Sequence, residues 1–323
     1  MKWPRLRQAG VGPLAALAVA YAFFALRAPG FASAANASTM ARQTTVVGLC
    51  AVGMTLVIVS GGIDLSVGSV VAFTTVVVAA TLRAGSSPGV AVLAGVGAAA
   101  ASGTACGLLV ARLRMAPFIV TLGAMSILRG GAKGLADEQK IDCDPRGLDA
   151  LLAPSGGGGS AALLPPGVWL AALLGVLGTL ALRYTRFGRH VYAVGSSEAT
   201  ARVCGVDVVR VKTLVYALSG GLAGLAGVME FSRLTVGDPT DSIGLELDVI
   251  AAVVIGGASL SGGEGTVLGS LVGAMLMAVI RTGCTFLGVH NWVQEIVTGA
   301  IIVAAVALDR ARHRVSRASA GAG

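Results

Sequence analysis

About ten apolar stretches run along this chain, at residues 11–27, 43–60, 66–83, 88–111, 117–133, 165–183, 211–231, 246–260, 265–282 and 291–308. A helix needs roughly 20 apolar residues to cross the hydrocarbon core of a bilayer. In that core only structures that satisfy their own backbone hydrogen bonds survive. The repeated pattern therefore predicts an all-α protein, a polytopic transmembrane helical bundle forming a single domain over residues 1–323. Composition excludes the soluble alternative: only 12% of the 323 residues are charged, about half the share of a soluble domain.

The basic residues fix an orientation. They cluster at Lys2, Arg5 and Arg7, at Arg112 and Arg114, at Arg183, Arg186, Arg189, Arg202, Arg210 and Lys212, and at Arg310, Arg312, Arg314 and Arg317. With ten spans all four clusters fall on one side, which the positive-inside rule assigns to the cytoplasm together with both termini. The net charge of +8 is thereby read as membrane orientation, and nucleic acid is not expected as a partner. The connection 134–164 falls outside the cell and is acidic on balance, with Asp137, Glu138, Asp142, Asp144 and Asp149 against Lys140 and Arg146. Its Gly156-Gly157-Gly158-Gly159-Ser160 run reads as flexible. The basic start, the first apolar run and Ala32-Ser33-Ala34 also fit a signal peptide; an uncleaved span is favoured.

Glycine numbers 47 and falls largely within the spans, for example Gly220, Gly224 and Gly227, or Gly269 and Gly273. Small residues let membrane helices approach closely. The five cysteines, Cys50, Cys106, Cys143, Cys204 and Cys284, show no CxxC spacing, and neither a disulfide framework nor a metal site is expected. His190, His290 and His313 lie far apart. There is no GxxxxGK[ST] loop and no HExxH, so neither catalysis nor a cofactor is expected of this chain.

Three constellations stand out. In Gly61-Gly62-Ile63-Asp64-Leu65-Ser66-Val67-Gly68-Ser69 a carboxylate lies between two spans, where charge is costly and often functional. Gly62, Asp64, Ser66 and Ser69 are candidates for a pathway or, for the acid and the hydroxyl, for a helix cap; the cap is favoured and the two roles are compatible. A weak echo at Gly256-Gly257-Ala258-Ser259-Leu260-Ser261-Gly262-Gly263-Glu264 suggests a duplicated broken helix, although low-complexity glycine and serine produce such echoes by chance. The loop 183–212 carries Glu198-Ala199-Thr200-Ala201-Arg202 before Gly205. This reads as a short amphipathic helix, either solvated or docking into a partner's groove. Last, Asp238 and Asp241 precede Glu246-Leu247-Asp248; these acids either contact a partner outside or are plainly solvated. Glu264, Arg281 and Glu295 sit at span ends and are expected only to reach the interface.

These stretches carry a resemblance. Gly61 to Ser69, the Gly188-Arg189, Gly195, Glu198-Ala199 and Gly205 loop, and the run from Glu246 to Gly257 are similar, in the same order, to the permease subunits of bacterial ABC sugar importers of the ribose, xylose, galactose and autoinducer-2 type. The similarity covers about residues 43–308. It implies the ABC importer permease fold in the inner membrane, a separate ABC ATPase subunit, a periplasmic sugar-binding protein and a second permease copy. It further implies that Gly195, Glu198, Ala199, Arg202 and Gly205 form the element that couples to the ATPase, and that a monosaccharide is moved by alternating access. Asp238, Glu246 and Asp248 become candidate contacts for the binding protein or a gate. The connection 134–164 does not align with that pattern. Branched-chain amino acids or nucleosides are the alternative solutes; the few pathway charges speak mildly against amino acids. An ion-driven carrier would need acids at mid-span, whereas those here lie mainly at segment ends.

Overall fold

A computed structural model describes residues 11–153 and 164–320. Lys2, Arg5, Arg7 and the Gly156–Ser160 run lie outside the described residues, as do the side chains of Arg310, Arg312, Arg314 and Arg317.

Every expected span contains a helix. In chain order they are α1 (Val11–Arg27), α2 (Ala34–Val59), α3 (Val67–Arg83), α4 (Pro88–Arg112), α5 (Pro117–Leu135), α6 (Pro166–Tyr184), α7 (Arg186–Ser196), α8 (Glu198–Val203), α9 (Val208–Leu234), α10 (Leu245–Ile255), α11 (Val267–Phe286) and α12 (Asn291–Ala320). Local chemistry sets their starts. Pro88, Pro117 and Pro166 occupy the first turns of α4, α5 and α6, where no N–H is needed. Side chains of Ser33, Thr185, Ser197, Asp207 and Thr266 accept from free N–H groups at the starts of α2, α7, α8, α9 and α11, as N-caps do.

Length and composition alone allow α2, α4, α6, α9 and α11 to cross a membrane, with α1, α3 and the first part of α12 as shorter apolar helices. The segment 246–260 departs from expectation. Only α10, 11 residues long, is helical there, which gives about 16 Å at 1.5 Å per residue, near half a hydrocarbon core. The remainder is an irregular turn with Gly257, Gly262, Gly263 and Gly265 at positive φ. The apolar run overestimates the helix because α10 is buried on all sides from Asp248 to Val254, so hydropathy does not fall where the helix stops.

α2, α9 and α11 form the interior, while α4 and α6 are peripheral. Close backbone approach makes this possible. A Cβ on Gly220 would overlap the carbonyl of Ala99 on α4, and one on Gly273 would overlap the carbonyl of Ala252 on α10. Between α2 and α11, the hydroxyls of Thr55 and Ser270 meet at 2.7 Å. α1 joins the bundle through Phe24, Ala28 and Phe31, which cluster with Met40 and Val279.

The connection between α5 and α6 is tied down over its described part. Its strand β1 (Ile141–Asp142) pairs antiparallel with β2 (Val236–Gly237), which follows α9. The Leu152 N–H donates to Ser232 Oγ at 2.9 Å, and Arg42 donates to the Leu152 carbonyl at 3.2 Å. The chain thus presents two faces, one bearing β1 and β2, the other bearing α7 and α8.

Candidate functional site

On the α7–α8 face the first constellation, its glycine echo and the 183–212 loop converge. α2 ends at Val59 and the chain turns through Gly61 at φ +80°. α10 ends likewise, and Gly262 and Gly263 turn at φ +81° and +78°. The two breaks touch: the Gly263 N–H donates to the Val59 carbonyl at 2.9 Å. Gly195, near the end of α7, fills the remaining space. A Cβ there would overlap the Val59 oxygen and come within 2.7 Å of Gly263 N. Tyr192 of α7 donates its hydroxyl to the Gly265 carbonyl at 2.7 Å. The echo between the two glycine turns is thus a physical contact, with the α7–α8 element wedged into it. Gly195 is half-buried and packs in that wedge.

α8 projects from this junction. Glu198 begins it, pairs with Lys212 of α9 and lies 3.7 Å from Arg202. The side chain of Lys212 is only 7% exposed and that of Glu198 42%, so the pair pins α8 to the bundle while leaving the carboxylate accessible. Ala201 packs inward, while Ala199 and Arg202 face out beside Val203, 89% exposed. Gly205 follows at φ +80° with open space around it, reversing the chain toward α9. Sequence reasoning passed over Val203 and most of α7, whose buried Gly188, Val191 and Val194 face the bundle. The 3-residue spacing of these positions was the available signal, obscured by the neighbouring arginines.

Asp64 and Ser66 are buried. Both the N–H and the hydroxyl of Ser66 donate to Asp64 Oδ1, at 2.9 and 2.6 Å. Ser66 stands at the N-cap position of α3 without a side-chain cap bond. The cap expected of the hydroxyl is therefore replaced by a local turn that gives the buried carboxylate its partners. Gly62 lies against Tyr216, whose hydroxyl a Cβ would meet at 2.5 Å. The hydroxyl of Ser69 is buried without a partner among the described residues.

Toward the opposite face, the third constellation reaches the first again. A Cβ on Gly68 would meet the Ser242 carbonyl at 2.5 Å and would overlap the Glu246 carboxylate. Arg129 of α5 holds this segment by donating to the carbonyls of Pro239 and Asp241, at 3.0 and 2.7 Å. Beside it opens a cavity of about 330 Å³, lined by Gln43, Glu230, Arg233, Asp241, Asp248 and Arg281 among others. Both its arginines are paired, Arg233 with Glu230 and Arg281 with Asp248 at 2.7 Å, while Asp241 accepts from the Ser242 hydroxyl at 2.7 Å. Arg281 thus does more than reach the interface. It neutralises an acid buried in the first turn of α10, as buried carboxylates require. Glu230 and Arg233 were not singled out from sequence, because an i, i+3 ion pair reads as ordinary helix-surface pairing.

Asp238 lies outside the spans and pairs with Lys140 at 2.9 Å. Partial burial opposes its charge, but the N–H and hydroxyl of Thr240 and the Lys140 ammonium prevail and hold its carboxyl below the ordinary value of 3.8. A lowered folded pKa contributes stability that is present above the unfolded value and lost as pH falls through the folded one. The β1–β2 pairing is therefore expected to hold at neutral pH and loosen only below about pH 4. Faster hydrogen exchange in peptides spanning 138–144 and 235–241 would report it. Exchange that accelerates already near pH 6 would contradict this assignment.

Residues 36–306 match the family model described as "Branched-chain amino acid transport system / permease component". The ribose import permease of Escherichia coli K12 is 39% identical over 306 residues, covering 93% of both chains. The ribose import permease of Bacillus subtilis 168 is 37% identical, covering 93% of this chain and 92% of that protein. An L-arabinose ABC transporter permease of Azospirillum brasilense is 35% identical, covering 98% and 91%. No solved structure gives a significant match. The chain belongs to the family of transport-system permease components, and is a multi-pass, non-catalytic protein of the inner membrane.

Proposed function

We propose that this chain is the membrane-spanning subunit of an ATP-driven importer and moves a monosaccharide, a ribose-like pentose or a hexose, by alternating access. The observation that carries the mechanism is the junction of Val59, Gly195 and Gly263. A displacement of α8 by a partner has no slack before it reaches the end of α2 and the turn between α10 and α11, because interpenetrating backbones transmit strain. Domain 1–323 then works as one permease unit. Both termini and the 183–212 element lie in the cytoplasm, and 134–164 lies in the periplasm, as the basic clusters require. The ATPase subunit docks on Glu198, Ala199 and Arg202, with Val203 as an apolar anchor. A periplasmic sugar-binding protein delivers solute to the face that bears Asp238 and the cavity. A second permease copy completes the pathway.

The cavity suits an uncharged solute, since both its arginines are already engaged by carboxylates while the lining still presents hydrogen-bonding atoms. The ribose and arabinose relatives support this solute class over branched-chain amino acids, whose ammonium and carboxylate would compete with the built-in pairs. Uptake assays in a strain lacking this chain test the assignment. Monosaccharide uptake is expected to be lost and restored by the gene, with leucine uptake unchanged. Loss of leucine uptake with sugar uptake intact would overturn it.

A further inference from the structure

The solvent-facing side of α6 is a single stripe. Trp169, Leu173, Val176, Leu177, Leu180 and Tyr184 are all exposed, at spacings that keep them on one helix face. From Trp169 to Tyr184 the stripe runs about 22 Å along the axis, and it begins and ends on the two residue types that mark membrane interfaces. Tyr184 therefore marks headgroup level on the α7 side, and the Arg183 guanidinium sits over its ring, 5.3 Å from the centroid.

The chain turns sharply there. Thr185 caps α7, whose start packs so tightly that a Cβ on Gly188 would overlap the Leu182 carbonyl. α7 buries Gly188, Val191 and Val194 and exposes Arg186 and Arg189 on its other side. Arg183, Arg186 and Arg189 thus stand, all exposed and three residues apart, on the two sides of the turn where the lipid-facing stripe ends. None of the three has a carboxylate partner among the described residues; of the acids on this face, Glu264 is exposed and makes no ion pair with them, and two others are engaged elsewhere. Glu198 pairs with Lys212 and Arg202, and Asp207 accepts from Arg210 N.

We infer that Arg183, Arg186 and Arg189 form a site for the phosphate headgroup of an anionic phospholipid of the cytoplasmic leaflet, seated at the seam of α6 and α7. Arginine forks match phosphate oxygens, and an acyl chain would lie on the α6 stripe, which a soluble acidic partner would leave uncovered. α7 is joined to the Val59–Gly263 junction through Gly195 and Tyr192, so lipid held here steadies the coupling element. The inference rests on the proposed membrane orientation, but not on the solute or on the ATPase.

Native mass spectrometry of the delipidated full chain, titrated with phosphatidylglycerol or phosphatidylcholine, tests it. Phosphatidylglycerol is expected to bind preferentially. The triple variant R183Q/R186Q/R189Q is expected to bind it about a hundredfold more weakly, from about fivefold per cation, with phosphatidylcholine binding unchanged. In the unmodified chain, raising salt from about 0.1 to 1 M is expected to weaken phosphatidylglycerol binding, which keeps the test valid should the variant not fold. Equal affinity of the variant, no preference between the lipids, or binding indifferent to salt would each overturn the inference. So would unchanged lipid binding with loss of ATPase co-purification, which would assign the arginines to the ATPase.

Discussion

Replacing Gly195 with alanine is expected to abolish transport and sharply reduce the folded chain recovered from membranes. The added methyl has no room, because it overlaps the Val59 carbonyl and crowds the Gly263 nitrogen. Both obstacles are backbone, so no side chain can rotate away, and the hydrogen bond between those two groups lies in the path. Overpacking costs typically about 1–3 kcal/mol, and a clash with two backbone segments belongs at the upper end. Two controls separate this from the general effect of adding a methyl. Gly123→Ala on α5 meets nothing within 4 Å and is expected to be silent. Gly205→Ala has space but sits at φ +80°, so it bears only the conformational cost of about 1 kcal/mol. Thermal unfolding in detergent, compared across the three variants, reads the order directly. A Gly195→Ala variant as stable as Gly123→Ala would show that the wedge does not exist.

The second large effect concerns Glu198. Glu198→Ala leaves the nearly buried Lys212 ammonium without its carboxylate. Removing one partner of a fully buried pair costs about 3–5 kcal/mol; the exposure of Glu198 reduces that here. Transport is expected to fall at least about tenfold, a loss of ~1.4 kcal/mol in coupling, while membrane insertion persists and the ATPase of the assembled complex runs uncoupled. The double variant E198M/K212M separates packing from docking. It removes both charges and is expected to recover the unfolding temperature without recovering transport. If transport returns with stability, Glu198 serves only to hold Lys212. Arg202→Ala, exposed and 3.7 Å from Glu198, is expected to impair transport with little change in stability.

The helices were legible in the sequence because hydropathy reports the solvent around a segment, and ten segments need an apolar one. The limits of that signal explain what it missed. It extended α10 through residues 256–260, since a helix buried on all sides and the irregular turn after it are equally apolar. It did not separate α7 as a helix of its own, because arginines dominate the composition of a segment whose packing face is only Gly188, Val191 and Val194. The site was legible as three blocks of residues but not as one place. That Gly61, Gly195 and Gly262 converge, and that Gly68 lies against Glu246, follows from tertiary packing between positions far apart in the chain. The Asp248–Arg281 pair, 2.7 Å apart across α10 and α11, is hidden for the same reason. Each residue alone reads as a charge at a span end.

In the proposed function this chain passes sugar only when a partner ATPase works on it. Proteoliposomes holding the chain and its ATPase, with binding protein and labelled ribose on the side bearing Asp238 and ATP on the side bearing α8, test it most directly. Sugar accumulation is expected only when ATP, ATPase and binding protein are all present. Accumulation driven by a proton or sodium gradient with the ATPase left out would contradict the account.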